Sequence, residues 1–373
     1  MKVAILSPTI DVANGWGNFT REYCWHLAGQ LDFTLFLPKD YQLGKEEKLP
    51  FPVKCILPEF VPEFRRKNNP EPFLKPRIKV SEFDLIHSLV AFPYGILTHR
   101  IAEAISKPFI ITTHGSYAVI PLLSYPDREL LQEAYLKSDL IISPSNFTAK
   151  RIRKYTRGSI NLEVMPDAVN YQKFQSPCDI SSLRKEYGDN RILLNIGQLK
   201  PRKGQDILIR AVRIVIDSIP NIRCLLIGKD GWDGFLHSLV FYLGLEKRII
   251  FLGEKREEEL IKYIKLCDVF VHTPCMIKNK FEGFGIVYLE AGACGKPVIG
   301  SKSGGVPDAV KDRITGILVP EGNVRATAKA IIRVLGDEKL AHQLGEEGRK
   351  NAEKLRWENY VSTMKKIYES VLK

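Results

Sequence analysis

Short runs of apolar, β-branched residues alternate along the chain with segments that have helical hydrophobic spacing. A strand followed by a helix is the βα unit from which parallel sheets are built. The pattern therefore predicts an α/β fold with parallel sheets. The predicted strands of the first half are Val3–Leu6, Phe33–Leu37, Val53–Leu57, Leu85–Leu89, Phe109–Thr113, Leu140–Ser143 and Glu163–Met165.

A second series of the same kind follows a polar stretch at 170–190, which we interpret as an irregular domain boundary. We predict two doubly wound, Rossmann-like domains, residues 1–172 and residues 188–356. The amphipathic pattern of residues 357–373 predicts a closing helix, which we assign to the first domain. Ligands of such sheets bind at the carboxyl ends of strands, so we expect a cleft between the domains. The second series comprises Ile192–Ile196, Cys224–Ile227, Ile249–Leu252, Val269–His272, Val298–Gly300 and Ile317–Val319.

The composition is that of a soluble globular protein, with 45% hydrophobic and 26% charged residues. The seven cysteines form no C-x-x-C pair and are interpreted as reduced thiols. The chain opens on a predicted strand and not on a signal peptide, and no apolar run reaches the roughly 18 residues that span a membrane. We therefore expect a cytoplasmic protein.

The net charge of +12 favours anionic partners such as nucleotide phosphates, acidic lipids or nucleic acid. Basic residues cluster at 65–79, within a proline-broken segment that we predict to be a mobile surface loop, and at 150–157 on a predicted helix. Solvated surface is the alternative interpretation for both clusters. Nucleic acid is disfavoured, because Phe73 is the only aromatic residue among the basic residues of 65–79.

Two motifs of the first domain follow predicted strands. The Asn14–Phe19 loop contains Gly15 and Gly17 before a helix and could admit a phosphate or a sugar to the backbone. It is not a dinucleotide fingerprint, because Thr20 stands where the third glycine would be. His114 ends another strand beside a glycine, where it could donate to a sugar oxygen or a phosphate; a core or solvated histidine is the alternative.

The turn after the first strand of the second domain is basic. Lys200, Arg202 and Lys203 lie between two glycines, at the carboxyl end of a strand, where they suit a diphosphate. An exposed basic turn without function is the alternative. The chain contains no H-E-x-x-H, D-x-D or Walker motif, so the sequence gives no support to metal or P-loop chemistry.

The stretch 281–297 predicts a tight glycine loop that turns directly into a helix. Gly283 and Gly285 permit unusual backbone angles, and the start of a helix is a suitable place for an anion. Glu282 in the loop and Glu290 in the helix could accept hydrogen bonds from a polyol. We expect this loop to be exposed. A second glycine-rich turn, 301–308, could contact a ligand or serve packing alone.

Together these motifs resemble the family-four retaining glycosyltransferases. The Glu-Gly-Phe-Gly string at 282–285 and the spacing to Glu290 match that family's Glu-x7-Glu signature. The glycine loop, the Thr-His-Gly strand end, the basic turn and the 301–308 turn extend the resemblance over nearly the whole chain. The resemblance implies a GT-B fold, with two Rossmann-like domains facing each other across a cleft and a C-terminal helix that returns to the first domain.

The resemblance further implies transfer of a sugar, with retention, from a UDP-, GDP- or ADP-sugar to a hydroxyl acceptor. No cofactor besides this donor and no metal are expected. Glu282 would hold the donor sugar, Lys203 the diphosphate and Glu290 the ribose, while Gly15 would contact a phosphate or the acceptor and His114 the transferred sugar. The implied catalytic residues are His114, Glu282 and Lys203, and the implied donor-binding residues are Gly15, Gln198, Arg202, Lys203, Gly283, Phe284, Gly285 and Glu290.

Three positions depart from the family pattern. Gln198 replaces the usual arginine, so Lys203, helped by Arg202, would carry more of the diphosphate. The usual Asn-Gly-Val-Asp is here Asp-Ala-Val-Asn at 167–170, and the usual double glycine of the N-terminal loop begins with Asn14.

Two other functions are compatible with the pattern, a nucleotide-sugar 2-epimerase of the same fold and a non-catalytic sugar-binding protein. The epimerase lacks the Glu-Gly-Phe-Gly string and needs no acceptor. The acceptor itself, the donor base and the donor sugar cannot be read from the sequence. A last hypothesis is reversible contact of the basic clusters with an anionic membrane, aided by Phe60, Phe64, Phe73 and Leu74.

Overall fold

The computed structural model describes residues 1–12, 15–44, 48–64, 70–75, 78 and 80–373. Asn14 of the N-terminal glycine loop lies outside these ranges, and so do five members of the basic cluster 65–79, which are Arg65, Arg66, Lys67, Arg77 and Lys79.

Within the described residues, the strands coincide with the predicted apolar runs to within a residue or two at each end. The first sheet contains β1 (Lys2–Leu6), β2 (Asp32–Pro38), β3 (Val53–Leu57), β4 (Leu85–Ser88), β5 (Phe109–Thr112), β6 (Leu140–Ser143) and β7 (Leu162–Val164). The second contains β8 (Arg191–Ile196), β9 (Ile222–Ile227), β10 (Ile249–Gly253), β11 (Val269–His272), β12 (Val298–Ser301) and β13 (Ile317–Val319). The predicted α/β fold class is thereby confirmed.

Both sheets are parallel and doubly wound. Their strand orders are β3-β2-β1-β4-β5-β6-β7 and β10-β9-β8-β11-β12-β13. The first strand of each series, β1 or β8, therefore lies between the second and the fourth, and the chain order reverses on either side of it. This reversal is the point at which ligands bind in open α/β sheets.

The chain divides into two compact units. Unit 1 consists of Met1–Pro166 with Trp357–Lys373, and unit 2 of Asp167–Arg356. The helices of unit 1 are α1 (Gly15–Leu27), α2 (Glu71–Leu74), α3 (Tyr94–Ile105), α4 (Asp127–Lys137), α5 (Asn146–Tyr155) and, at the end of the chain, α15 (Trp357–Val371). Those of unit 2 are α6 (Tyr171–Gln175), α7 (Ser181–Tyr187), α8 (Gln205–Val215), α9 (Phe235–Tyr242), α10 (Glu257–Leu266), α11 (Ile286–Ala293), α12 (Val306–Ala309), α13 (Val324–Gly336) and α14 (Glu338–Lys354).

The core of unit 2 covers both faces of its sheet. Successive residues of a strand point to opposite faces, so Ile192 and Leu194 of β8 pack in one hydrophobic cluster and Leu193 packs in another. With both faces buried, the strands are almost continuously apolar, which is why the sequence pattern located them well.

The closing helix α15 is bound to unit 1 through buried polar groups as well as apolar packing. The Tyr368 hydroxyl lies 2.6 Å from the Tyr23 hydroxyl and 2.6 Å from Nδ1 of His87. The other ring nitrogen of His87 lies 2.7 Å from the Thr112 hydroxyl. The C-terminal helix therefore returns to the first sheet, as predicted with the fold class.

Two local predictions are wrong. The segment 59–79 was expected to be a surface loop, but among its described residues Phe64 and Phe73 are buried, with ring centroids 4.9 Å from Phe92 and 6.0 Å from Tyr94, respectively. The segment 170–190 was expected to be irregular, but it contains α6 and α7, whose Phe174 and Tyr187 lie in the unit 2 core. In both segments a few aromatic residues are buried, although the charged residues and prolines around them are typical of an exposed loop.

Candidate active site

The candidate site of unit 2 lies where β8 and β11 end. These strands are neighbours in the sheet although about 75 residues separate them in the chain. The basic turn follows β8, and the loop that contains Glu282 follows β11. Parallel strands end at the same edge of a sheet, so the fold brings both segments to the point of reversal.

Close backbone packing fixes the basic turn against the loop after β11. Gly204 has a φ of 69°, and a Cβ there would lie 1.8 Å from the carbonyl oxygen of Thr273. Only glycine fits this position, because both the angle and the contact exclude a side chain. The Thr273 hydroxyl in turn donates to the Gly204 carbonyl at 3.1 Å.

Glu282 forms a compact charge cluster with the basic turn. Its Oε2 atom accepts hydrogen bonds from Lys203 Nζ at 2.7 Å and from Arg202 Nη1 at 2.9 Å. The side chains of Glu282 and Lys203 are only 13% and 16% exposed. The expectation of an exposed loop is therefore wrong, and the alternative interpretation of an exposed basic turn does not hold at Lys203, because the two segments bury each other.

A buried histidine stands behind this cluster. His272, the last residue of β11, is fully buried, and its Nε2 atom lies 3.9 Å from Glu282 Oε2. Its Nδ1 atom lies 3.1 Å from Asn195 Nδ2, and its backbone carbonyl accepts from the Tyr288 hydroxyl at 2.5 Å. Glu282 is thus surrounded by two cations and one imidazole.

The electrostatics of the cluster favour an ionised Glu282. Burial works against its charge, but Lys203, His272 and Arg202 hold the pKa of this carboxyl well below its usual range. Burial lowers the pKa of Lys203, a shift that Glu282 opposes, and burial also lowers the pKa of His272. The short contact between opposite charges favours the ionised Lys203–Glu282 pair. With Arg202 the cluster carries one net positive charge beside a neutral imidazole.

The second glycine-rich turn supports the backbone of Glu282. The Gly305 amide donates to the Glu282 carbonyl at 2.9 Å, and a Cβ on Gly304 would lie 2.4 Å from that same oxygen. Packing against the Glu282 loop therefore explains the glycine at position 304.

The remaining predicted residues of unit 2 lie on either side of the cluster. Phe284 is buried, and Gly285, with a φ of 94°, caps the start of α11. Gly283 is partly exposed, and Glu290 lies on α11, about one turn from its start. The Gln198 side chain is exposed in the basic turn, where no charge replaces the usual arginine.

The two predicted residues of unit 1 lie beyond the carboxyl ends of its strands. Gly15 begins α1 and is exposed. His114 follows β5, and its ring packs edge-on against Phe19 with centroids 4.6 Å apart. Its Nε2 atom is buried without a hydrogen-bond partner among the described residues, and burial lowers the pKa of the ring to about 4.

Sequence reasoning missed three polar residues around the cluster. His272 and Asn195 lie inside apolar strands, where the only signal is a polar residue in a buried run. Asp167 was noted solely as a departure from the family pattern. Burial and the charge of Glu282 raise the pKa of Asp167 to about 7.

Comparison with known proteins assigns the family. The model of the glycosyl transferases group 1 family matches residues 180–351, and that of Glycosyltransferase Family 4 matches residues 13–173. The GDP-mannose-dependent alpha-(1-6)-phosphatidylinositol monomannoside mannosyltransferase of Mycolicibacterium smegmatis is 30% identical over 293 residues, which are 75% of each chain. The N-acetyl-alpha-D-glucosaminyl L-malate synthase of Bacillus anthracis is 27% identical over 298 residues, 78% of this chain and 75% of the relative.

The crystal structure of Anabaena HepE in complex with UDP has the same fold, with a TM-score of 0.82 at 20% identity over 99% of this chain and 100% of that one. The fold and the family matches thus define a glycosyltransferase with the GT-B fold. The chain belongs to the family-four, or group 1, glycosyltransferases, and the predicted family and enzyme class are confirmed.

Proposed function

We propose that this enzyme transfers a sugar, with retention at the anomeric carbon, from a nucleotide diphosphate donor to a hydroxyl acceptor. The observation that carries the proposal is the buried cluster in which Glu282 binds Lys203 at 2.7 Å and Arg202 at 2.9 Å. A carboxylate that can accept hydrogen bonds from sugar hydroxyls lies beside two cations that can bind a diphosphate.

The cluster supports a division of labour between donor sugar and diphosphate. Lys203 and Arg202 would turn from Glu282 towards the diphosphate and stabilise its charge as the sugar becomes cation-like. Glu282, with the backbone amides of Phe284 and Gly285, would hold the sugar hydroxyls, and Glu290 the ribose. Because Gln198 supplies no charge, the diphosphate depends on Lys203 and Arg202.

The remaining roles follow the family resemblance. His114 would bind the transferred sugar, since its buried Nε2 atom is without a partner among the described residues, and Gly15 would contact a phosphate or the acceptor through its N–H. We favour front-face displacement over a covalent glycosyl-enzyme. The two cations can supply the leaving-group stabilisation that a metal gives elsewhere, so we expect metal-independent transfer.

The donor is proposed as a GDP- or UDP-sugar, with ADP-sugars as a further option. GDP-mannose is the donor named for the mycobacterial relative, and UDP is bound in HepE. The names of the Mycolicibacterium smegmatis and Bacillus anthracis relatives contain two different hydroxyl compounds, phosphatidylinositol monomannoside and L-malate, so the acceptor is proposed only as a hydroxyl compound.

Release of nucleoside diphosphate from a panel of GDP-mannose, UDP-glucose, UDP-N-acetylglucosamine and ADP-glucose tests the proposal. We expect one donor to be consumed, and Glu282→Gln to lower that rate by about 10²-fold or more, because positioning of the sugar is lost. The exposed Glu246→Gln variant is the matched control. Near-normal turnover by folded Glu282→Gln protein would overturn the assignment, and isomerisation of the donor without an acceptor would favour the 2-epimerase.

We also propose a cytoplasmic enzyme that contacts anionic membranes reversibly through the basic face of α5. Lys150 and Lys154 are exposed on α5, and Arg157 is exposed two residues after its end. Insertion of Phe64 and Phe73 is no part of this proposal, because both are buried. No helix among the described residues is long and apolar enough to cross a membrane.

Co-sedimentation with phosphatidylserine-rich vesicles at low salt tests the membrane contact. Replacing Lys150, Lys154 and Arg157 by serine should abolish binding, since each basic residue near such a surface contributes roughly 1 kcal/mol. Replacing the exposed lysines of unit 2, Lys185, Lys247 and Lys339, removes the same charge and should have less effect. Equal losses in both triple variants, or no binding by the wild type, would remove the hypothesis.

A further inference from the structure

The orientation of two buried amides is fixed by backbone carbonyls. Asn195 Nδ2 lies 2.8 Å from the carbonyl oxygen of Val271, and Gln205 Nε2 lies 3.3 Å from that of Gln198. A carbonyl oxygen can only accept, so both nitrogens must be donors. The same Gln205 nitrogen lies 3.3 Å from Asn195 Oδ1, which is consistent with both assignments.

These amides determine where the neutral His272 ring carries its proton. Asn195 Nδ2 is a donor and lies 3.1 Å from His272 Nδ1, so Nδ1 is the acceptor. A neutral imidazole with an accepting Nδ1 has its hydrogen on Nε2. Nε2 is buried without a hydrogen-bond partner among the described residues, and it lies 3.9 Å from Glu282 Oε2.

We propose that His272 is a positioning residue for Glu282. In this proposal His272 donates its Nε2–H to the Glu282 carboxylate when Lys203 turns towards the donor diphosphate. The proposal rests on the proposed function of Glu282 and Lys203. Closing the 3.9 Å separation to a hydrogen bond of about 2.9 Å requires a shift of about 1 Å.

A neutral donor suits this task better than a third cation. A protonated imidazole would form a strong ion pair and draw the carboxylate away from the sugar, whereas a neutral N–H fixes its direction at lower strength. The groups around His272 all bear on this state: Glu282 favours protonation, while burial, Lys203 and Arg202 oppose it.

Three substitutions separate the hydrogen bond from packing. His272→Gln places an amide nitrogen at the depth of Nε2, His272→Asn reaches only the depth of Nδ1, and His272→Leu retains neither group. We expect kcat to fall by no more than a few fold for His272→Gln and by about 10- to 100-fold for His272→Asn and His272→Leu, as for a lost hydrogen bond to a charged group. Affinity for GDP and UDP, which lack the sugar, should stay unchanged in all three variants.

The tautomer can be measured without any substrate. In wild-type protein labelled with ¹⁵N-histidine, the His272 ring should show a protonated Nε2 and an unprotonated Nδ1 at pH 7, assigned by loss of its signals in any one of the three variants that folds. A protonated Nδ1 would overturn the proposal whatever the kcat values, and so would equal kcat values for His272→Gln and His272→Asn.

The outcomes also distinguish this proposal from the one on which it rests. An active Glu282→Gln enzyme would remove the proposed function of Glu282. An inactive Glu282→Gln enzyme together with fully active His272→Asn and His272→Leu enzymes would remove only the role of His272.

Discussion

Two buried histidines occupy equivalent strands of the two units and differ in one respect. His87 lies on β4 and His272 on β11, each the neighbour of the first strand of its sheet. They are 1% and 0% exposed. Both ring nitrogens of His87 have hydroxyl partners, at 2.6 and 2.7 Å. Among the described residues, only Nδ1 of His272 has a hydrogen-bond partner, the Asn195 amide at 3.1 Å, and its Nε2 faces the Glu282 carboxylate.

The difference distinguishes a histidine that stabilises the fold from one that we propose acts on Glu282. Buried polar groups in folded proteins are almost always hydrogen-bonded, so the satisfied His87 is explained by its link to α15. We explain the unsatisfied nitrogen of His272 by its proposed hydrogen bond to Glu282, which forms when Lys203 turns towards the donor diphosphate. Burial alone would have placed both residues in the same class.

The largest expected effect on folding comes from breaking the hydrogen bonds of His87. His87→Leu should lower the free energy of unfolding by about 2–4 kcal/mol, because the Tyr368 and Thr112 hydroxyls each lose a buried partner. His272→Leu should cost about 1 kcal/mol, since Asn195 Nδ2 keeps the Val271 carbonyl. Urea unfolding of the two variants tests this, and equal losses would contradict the distinction.

The pH dependence of stability tests whether the buried His87 is held in its neutral form. Burial, followed by the effect of His114, lowers the pKa of His87 to about 3, from 6.5 in a free histidine. The unfolded chain therefore takes up a proton that the folded one refuses, and stability falls as the pH drops from about 6.5 towards 3. Between pH 6.5 and 5 we expect His87 to account for about 2 kcal/mol.

Urea unfolding of His87→Gln at these pH values should show a shallower loss than the wild type, with the exposed-histidine variant His342→Asn as the control. A slope equal to that of the wild type would show that His87 is not held neutral.

A smaller effect is expected at Asp167, next to the functional cluster. Its pKa, raised to about 7 by burial and by Glu282, lies above that of the unfolded state, so stability is lost as the pH rises from about 4 to 7. Asp167→Asn should remove this loss and gain on the order of 1 kcal/mol at pH 8, a figure reduced for partial exposure. The gain should vanish at pH 4, and the exposed control Asp189→Asn should show none.

The smallest expected effect is that of a chelator. With Lys203 and Arg202 supplying the positive charge, donor turnover should be the same before and after treatment with EDTA. A complete loss that added Mg²⁺ or Mn²⁺ restores would show that a metal supplies charge which we assign to the side chains.

Local sequence patterns led to the candidate site residues and to the strand ends. Glu282 and Lys203 became candidates because glycine-rich turns follow continuous apolar runs, which mark buried parallel strands, and because the Glu-Gly-Phe-Gly string matches the family signature. The direct contact of Lys203 with Glu282 was not found, because it depends on the pairing of β8 with β11, which no local signal encodes. His272 and Asn195 were missed for the same reason, since their partners come from the neighbouring strand.

The central claim is that Lys203 leaves its ion pair with Glu282 and binds the donor diphosphate. Calorimetric titration with GDP and UDP tests this claim most directly. For the nucleotide that binds the wild type, Lys203→Ala should weaken the affinity about 10-fold or more, and turnover should fall by about 10²-fold. The exposed Lys247→Ala variant should bind as the wild type does. Unchanged nucleotide affinity and unchanged turnover in Lys203→Ala would contradict the account.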